Sequence, residues 1–226
     1  MHAEILYQPS YATVRLTLAR GEQIRAEGGA MVAMDEGIRI ETGATGGFLK
    51  SLGRSLLGGE SFFQNTFIAE HDNVQVLLAP KLPGDIALLQ LRSQEMIVQS
   101  GSFLASEQGI DVSTKWGGAR TFFGGEGFFM LRCAGTGLLV VSSYGAIHQV
   151  ALGSGQRYIV DTGHIVAFDG RMSYQVRRAG NWKSTIFGGE GLVVEFTGPG
   201  DLWLQTRSPE AFLGWLFPRL PDRSSG

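Results

Sequence analysis

Cysteine is almost missing from this chain of 226 residues; Cys133 is the only one. That excludes an internal disulfide and a thiolate metal cluster, both of which need more than one thiol. Lying in Phe128-Phe129-Met130-Leu131-Arg132-Cys133, the thiol reads as a small buried apolar side chain. Histidine is also scarce. His2, His71, His148 and His164 contain no His-x-His or His-x-x-x-His pair, the spacings that aim two imidazoles at one metal. His164 is expected to be a partly exposed strand residue, His148 structural, and His71 a surface residue in a polar turn. Charge is modest, with 18% charged residues and a net charge of −2, so no general attraction to nucleic acid or anionic lipid is expected. No apolar run approaches the roughly 20 residues of a membrane helix. Met1-His2-Ala3-Glu4-Ile5 has neither a secretory nor an Arg-rich transit pattern, which leads us to expect a cytoplasmic protein.

The familiar catalytic loops are missing too. Ser142-Ser143-Tyr144-Gly145 lacks the Gly-x-Ser-x-Gly frame of a nucleophile elbow. Gly153-Ser154-Gly155 lacks the strand–helix setting of a dinucleotide site, and Gly124-Gly125-Glu126-Gly127 lacks the Lys-Ser/Thr of a phosphate loop. No catalytic residue, cofactor or metal ligand is assigned from the sequence.

Glycine, in contrast, is plentiful: the 33 glycines are about twice the usual share. They follow a repeat. Gly58-Gly59-Glu60, Gly124-Gly125-Glu126 and Gly188-Gly189-Glu190 lie 66 and 64 residues apart. Gly29-Ala30-Met31-Val32-Ala33 recurs as Gly101-Ser102-Phe103-Leu104-Ala105 and as Gly163-His164-Ile165-Val166-Ala167. Residues 12–35 align with 146–169 without a gap, and a more diverged middle copy aligns over 84–105. The reading is one compact unit, 1–226, with repeats at about 4–72, 73–137 and 138–206. Each copy suits a small β unit that must dock on its siblings to bury a core.

Alternation dominates the local pattern. Thr13–Leu18 is polar and apolar in strict turn, the period-2 mark of a half-buried strand. Val74–Leu78, Leu138–Val141 and Leu202–Thr206 are further strand-length segments, separated by turn signals such as Pro83-Gly84-Asp85 and Gly198-Pro199-Gly200. An all-β sandwich or jelly-roll-like class follows, and the repeat favours three lobes docked on a shared core. Two segments look helical. Phe48–Leu57 is weak because it is short and contains Gly53. The other, 208–217, opens on Ser208-Pro209-Glu210, an N-cap, a first-turn proline and an acid suited to the helix N-terminus.

A glutamate opening an apolar segment needs a partner, and a base precedes each one. Arg54 lies six residues before Glu60, Arg120 six before Glu126, and Lys183 seven before Glu190. The bland reading is a structural turn. The sharper one brings the three carboxylates together around a hard cation.

Arg54-Ser55-Leu56-Leu57-Gly58-Gly59-Glu60-Ser61-Phe62-Phe63, Gly101-Ser102-Phe103-Leu104-Ala105 and Leu204-Gln205-Thr206-Arg207 resemble the mitochondrial-biogenesis, altered-inheritance-of-mitochondria family and its bacterial relatives. The resemblance spans about 4–217. It implies a fold like that of the tryptophan RNA-binding attenuation protein, with three antiparallel β-sandwich repeats of double-stranded β-helix type docked in a pseudo-threefold unit, and no established enzyme activity. Fold alone does not carry RNA binding, and no nucleic-acid partner is expected. The functional expectation is an oligomeric, non-enzymatic assembly or binding scaffold. Alternatives are a small-molecule or ion-binding module, or a metal-dependent, cupin-like enzyme. Phe212, Trp215 and Leu216 are offered either to the lobes themselves or to a protein partner or membrane surface.

Overall fold

A computed structural model describes residues 1–42, 64–113, 129–178 and 192–220. The chain is all-β, with several antiparallel sheets and one short C-terminal helix. Its strands are β1 (His2–Leu6), β2 (Thr13–Leu18), β3 (Gln23–Glu27), β4 (Met31–Met34), β5 (Ile38–Thr42), β6 (Gln64–Ala69) and β7 (Val74–Leu78). They continue with β8 (Ile86–Gln99), β9 (Phe103–Glu107), β10 (Ile110–Ser113) and β11 (Met130–Ser142). Then follow β12 (Ile147–Leu152), β13 (Arg157–Asp161), β14 (Ile165–Asp169), β15 (Ser173–Arg178), β16 (Leu192–Thr197), β17 (Gly200–Gln205) and α1 (Pro209–Leu216).

One pairing scheme recurs three times. In the first set β2 and β4 flank β7, while β3 and β5 flank β6. In the last set β12 and β14 flank β17, while β13 and β15 flank β16. In the middle set two long strands do double duty: β8 pairs with β11 along its whole length, with β9 and β10 on the two halves of β11. Grouped this way, residues 74–78 pair with β2 and β4, and residues 138–142 with β8 and β9.

The long strands turn a corner where the other sets use loops. Pairing shifts between Gly135 and Thr136, Ser93 is skipped, and Ser93 adopts a φ of 56°. Its counterparts Gly21 and Gly155 have φ of 85° and 74°. All three occupy the left-handed region, which glycine enters without the Cβ penalty that serine bears. An extra residue at this point bends the ladder so that β8 and β11 pass from one sheet into the next.

The sheets interleave the sets. The first half of β8, the second half of β11 and β9 continue through β3 into β6 and β5. Likewise β12, β17 and β14 continue through the second half of β8 into β11 and β10. These are the two six-stranded halves of one ten-stranded sheet; they share β8 and β11, and each is drawn from two sets. Two half-sheets remain, β2-β7-β4 with β1 added, and β13-β16-β15. Three cores fill the spaces between. The first centres on Leu16, Ile24, Phe67 and Leu104, and the second on Val98, Phe103, Leu131 and Cys133. The third holds Ile97, Phe168, Phe196 and Leu202. Ile97 and Val98 enter different cores because neighbours on a strand point to opposite faces.

Candidate interaction surfaces

The twelve signature residues of the repeat fall outside the described residues. Arg54, Gly58, Gly59 and Glu60 lie between β5 and β6 in sequence, Arg120, Gly124, Gly125 and Glu126 between β10 and β11, and Lys183, Gly188, Gly189 and Glu190 between β15 and β16. Phe48–Leu57 lies outside them as well. Among the described residues, no three His, Cys, Asp or Glu side chains come together as a metal site.

The histidines are spread over the fold. His148 lies on β12 opposite Leu204, and His71 sits in an exposed turn. His164 departs from expectation: it belongs to a short 3-10 turn, 162–164, that precedes β14. Its Nδ1 lies 2.7 Å from the Gln205 carbonyl oxygen and donates to it, since a carbonyl only accepts. Gln205 is buried and stitches that corner. Its Nε2 donates to the Gly163 carbonyl at 2.8 Å, and its Oε1 accepts from the Tyr144 backbone N–H at 2.9 Å. Beside it, Thr206 Oγ1 accepts from the Ala146 N–H at 2.9 Å. The Leu204-Gln205-Thr206-Arg207 signature thus closes the last set of strands, a role its sequence did not reveal.

Cys133 is wholly buried, as expected, and burial pushes its thiol pKa well up. A groove beside β8, β12 and β17 is lined by Gln90, Gln94, Gln149, Asp169, Asp201 and Trp203. Its Asp169 is engaged: Arg171 donates from Nε and Nη2 to the two carboxylate oxygens at 3.0 and 2.7 Å, and from its backbone N–H at 2.9 Å. These bonds hold the Asp169 carboxyl below its ordinary pKa against the opposing pull of burial.

Large apolar side chains stand exposed singly in loops, at Tyr7, Tyr11 and Leu82, and as groups in three places. On β4 they are Met31, Val32 and Met34; on β13, Tyr158 and Ile159. The third is α1 and the residues just after it. The helix forms as its cap predicts: Ser208 Oγ accepts from the Ala211 N–H and Pro209 occupies the first turn. No residue of α1 is buried, however, and Trp215 is 55% exposed. The segment touches the lobes through Phe212 and leaves much of its apolar surface exposed. Phe212 meets Tyr144 edge-on, with ring centroids 6.1 Å apart, and stacks on Trp215. The Arg219 guanidinium lies 4.8 Å from the Trp215 ring centre, a cation–π contact that holds the indole in place. Among the described residues no helix is long and apolar enough to cross a membrane.

Comparison with known proteins gives a consistent picture. The family described as Mitochondrial biogenesis AIM24 matches residues 3–207. An uncharacterized protein of Streptococcus pyogenes serotype M6 is 29% identical over 227 residues, which covers 95% of this chain and 89% of that protein. An X-ray crystal structure of a Streptococcus pyogenes protein superposes with a TM-score of 0.80 at 27% identity, covering 97% of this chain and 99% of the other.

Proposed function

This chain belongs to the mitochondrial biogenesis AIM24 family, and we propose that it acts as a non-enzymatic β-scaffold that assembles with further copies of itself and offers α1 to a protein partner. One observation carries this reading. Apart from Tyr7, Tyr11 and Leu82 in loops, the exposed large apolar residues gather: Met31, Val32 and Met34 share one strand, Tyr158 and Ile159 another, and Phe212, Leu213 and Trp215 one helix. Single exposed apolar residues are ordinary, whereas contiguous ones mark a docking surface. Unpaired strand edges add backbone groups ready to bond to another chain.

Native mass spectrometry tests the proposal. The expected result is a discrete oligomer whose mass equals a whole number of bare chains. Single bare chains at micromolar concentration would overturn it. Extra mass per chain that is lost on denaturation would point instead to a small-molecule or ion-binding module. Removing 208–226 should leave the β core folded with an unchanged thermal midpoint, because no residue of α1 is buried.

A further inference from the structure

Two joints between the strand sets are built alike. In the first, β9 lies antiparallel to β3, with Ala105 opposite Ala26, Ser106 opposite Arg25 and Glu107 opposite Ile24. In the second, β14 lies on β8 with Ala167 opposite Val98, Phe168 opposite Ile97 and Asp169 opposite Met96. The strand equivalent to β9 and β14 is β4, and the strand equivalent to β3 and this part of β8 is β13. Among the described residues, both β4 and β13 stand at outer edges of their half-sheets.

Burial tells the two closed joints from the open one. Leu104 and Val166 are 0% exposed, while Val32, in the same place of the motif, is 55% exposed. Ile97 is 0% exposed, and its counterpart Ile159 is 53% exposed. The chain therefore carries both halves of a third joint: Val32 and Tyr158 match apolar residues buried at both closed joints (Leu104 and Val166, Ile24 and Met96), while the place of Ile159 is held by buried Ile97 in one joint and by Arg25 in the other.

We infer that β4 of one copy pairs with β13 of a second copy and completes a third six-stranded unit. The register follows from the two internal joints: Ala33 opposite Val160, Met34 opposite Ile159 and Asp35 opposite Tyr158. Charge agrees with it. Gln108 and Gln23 hydrogen-bond through their side chains across the first joint. Their counterparts at the open joint are Glu36 and Arg157, an acid facing a base, and both are exposed. The two surfaces differ, so the contact is head-to-tail and either closes as a ring or runs on as a filament. This inference rests on the self-assembly reading above and supplies its interface.

Cysteine cross-linking tests it. Met34→Cys and Ile159→Cys change exposed residues, and the native Cys133 is buried and stays in place. Under mild oxidation the mixture of the two variants should yield a disulfide-linked dimer containing one chain of each, and neither variant should do so alone. Cross-linking of Met34→Cys with itself would mean a symmetric β4–β4 contact and overturn the proposal. A disulfide within single chains of the double variant would mean that the joint closes on itself, and it would overturn the proposal as well. A discrete oligomer that forms no mixed cross-link would sink this interface and leave the scaffold reading standing; single chains without any cross-link would sink both. As a second readout, Ile159→Glu should reduce the native mass to that of one chain, 24.4 kDa, with the far-ultraviolet spectrum unchanged.

Discussion

Gly84 lies where the chain leaves the first set of strands and enters the second, and a methyl group there has no room. A Cβ placed on Gly84 would sit 1.7 Å from the Ser143 carbonyl oxygen and 3.0 Å from that of Gly145. Ordinary carbon–oxygen contacts are about 3.3 Å or longer, so one backbone segment must move by more than an ångström. The displaced region carries four inter-segment bonds. Ala12 N–H donates to the Gly84 carbonyl at 2.9 Å, and Asp85 N–H to that of Gly145 at 3.0 Å. Gly145 N–H donates to the Pro83 carbonyl, and Ser143 N–H to that of Asp85, both at 3.0 Å. Each contributes about 1 kcal/mol net. Losing two to four of them puts the cost of Gly84→Ala at about 2–4 kcal/mol, or about 5–15 °C in thermal midpoint for a chain of this length. Urea unfolding is the assay, with the midpoint read at unchanged slope. Gly214→Ala is the control: it has open space around it, lies within α1, and should be neutral or slightly stabilising. A Gly84→Ala midpoint within error of the parent would refute the claim that this crossing is sterically closed.

Three further outcomes are expected. Gly21→Ala meets nothing within 4 Å yet must hold a φ of 85°, so it should cost about 1–2 kcal/mol through backbone strain alone, read by the same urea titration. The Cys133 thiol should resist a thiol reagent at pH 8 in the folded protein and react fully in guanidinium; fast stoichiometric labelling of the native state would contradict its burial. Asp169 has its folded pKa depressed by Arg171, so its contribution is present at neutral pH and is lost as pH falls through the folded value, below the ordinary carboxylate range. Unfolding of the parent and of Asp169→Asn, followed from pH 7 to pH 3, should differ most at neutral pH and converge in acid. A gap independent of pH would exclude the ion pair as its source.

Much of the architecture was legible because period-2 alternation is a local signal. The predicted strand over 13–18 coincides with β2, and 74–78 with β7. Ser208 and Pro209 announced α1 correctly because capping acts within one turn of chain. Three features escaped. The Gly-x-apolar-apolar-Ala motif encodes a β-bulge: the ladders skip Val32, Leu104 and Val166, so the middle apolar residue has no partner on the neighbouring strand. That depends on strand pairing, which composition does not state. The joints were also invisible, because Ala26 meets Ala105 across a long separation in sequence that no local pattern marks. His164 looked like a strand residue because the apolar run beginning at Ile165 masks the tight turn before it. Naming β4 and β13 required the burial of their counterparts at the two closed joints.

The interleaved sheets also bear on how the chain is made. Synthesis runs from the N-terminus, so β3 emerges from the ribosome before β9, and the second half of β8 before β14. Each new set of strands meets an edge already waiting to receive it. A growing chain therefore always displays one acceptor edge that its next segment will cover. In the finished protein that edge is β13, and among the described residues no later strand covers it. The edge that receives the next segment during synthesis and the edge that would receive a neighbour after release are the same structural element, so a polypeptide stalled after its second set is as ready to join another molecule as the complete one.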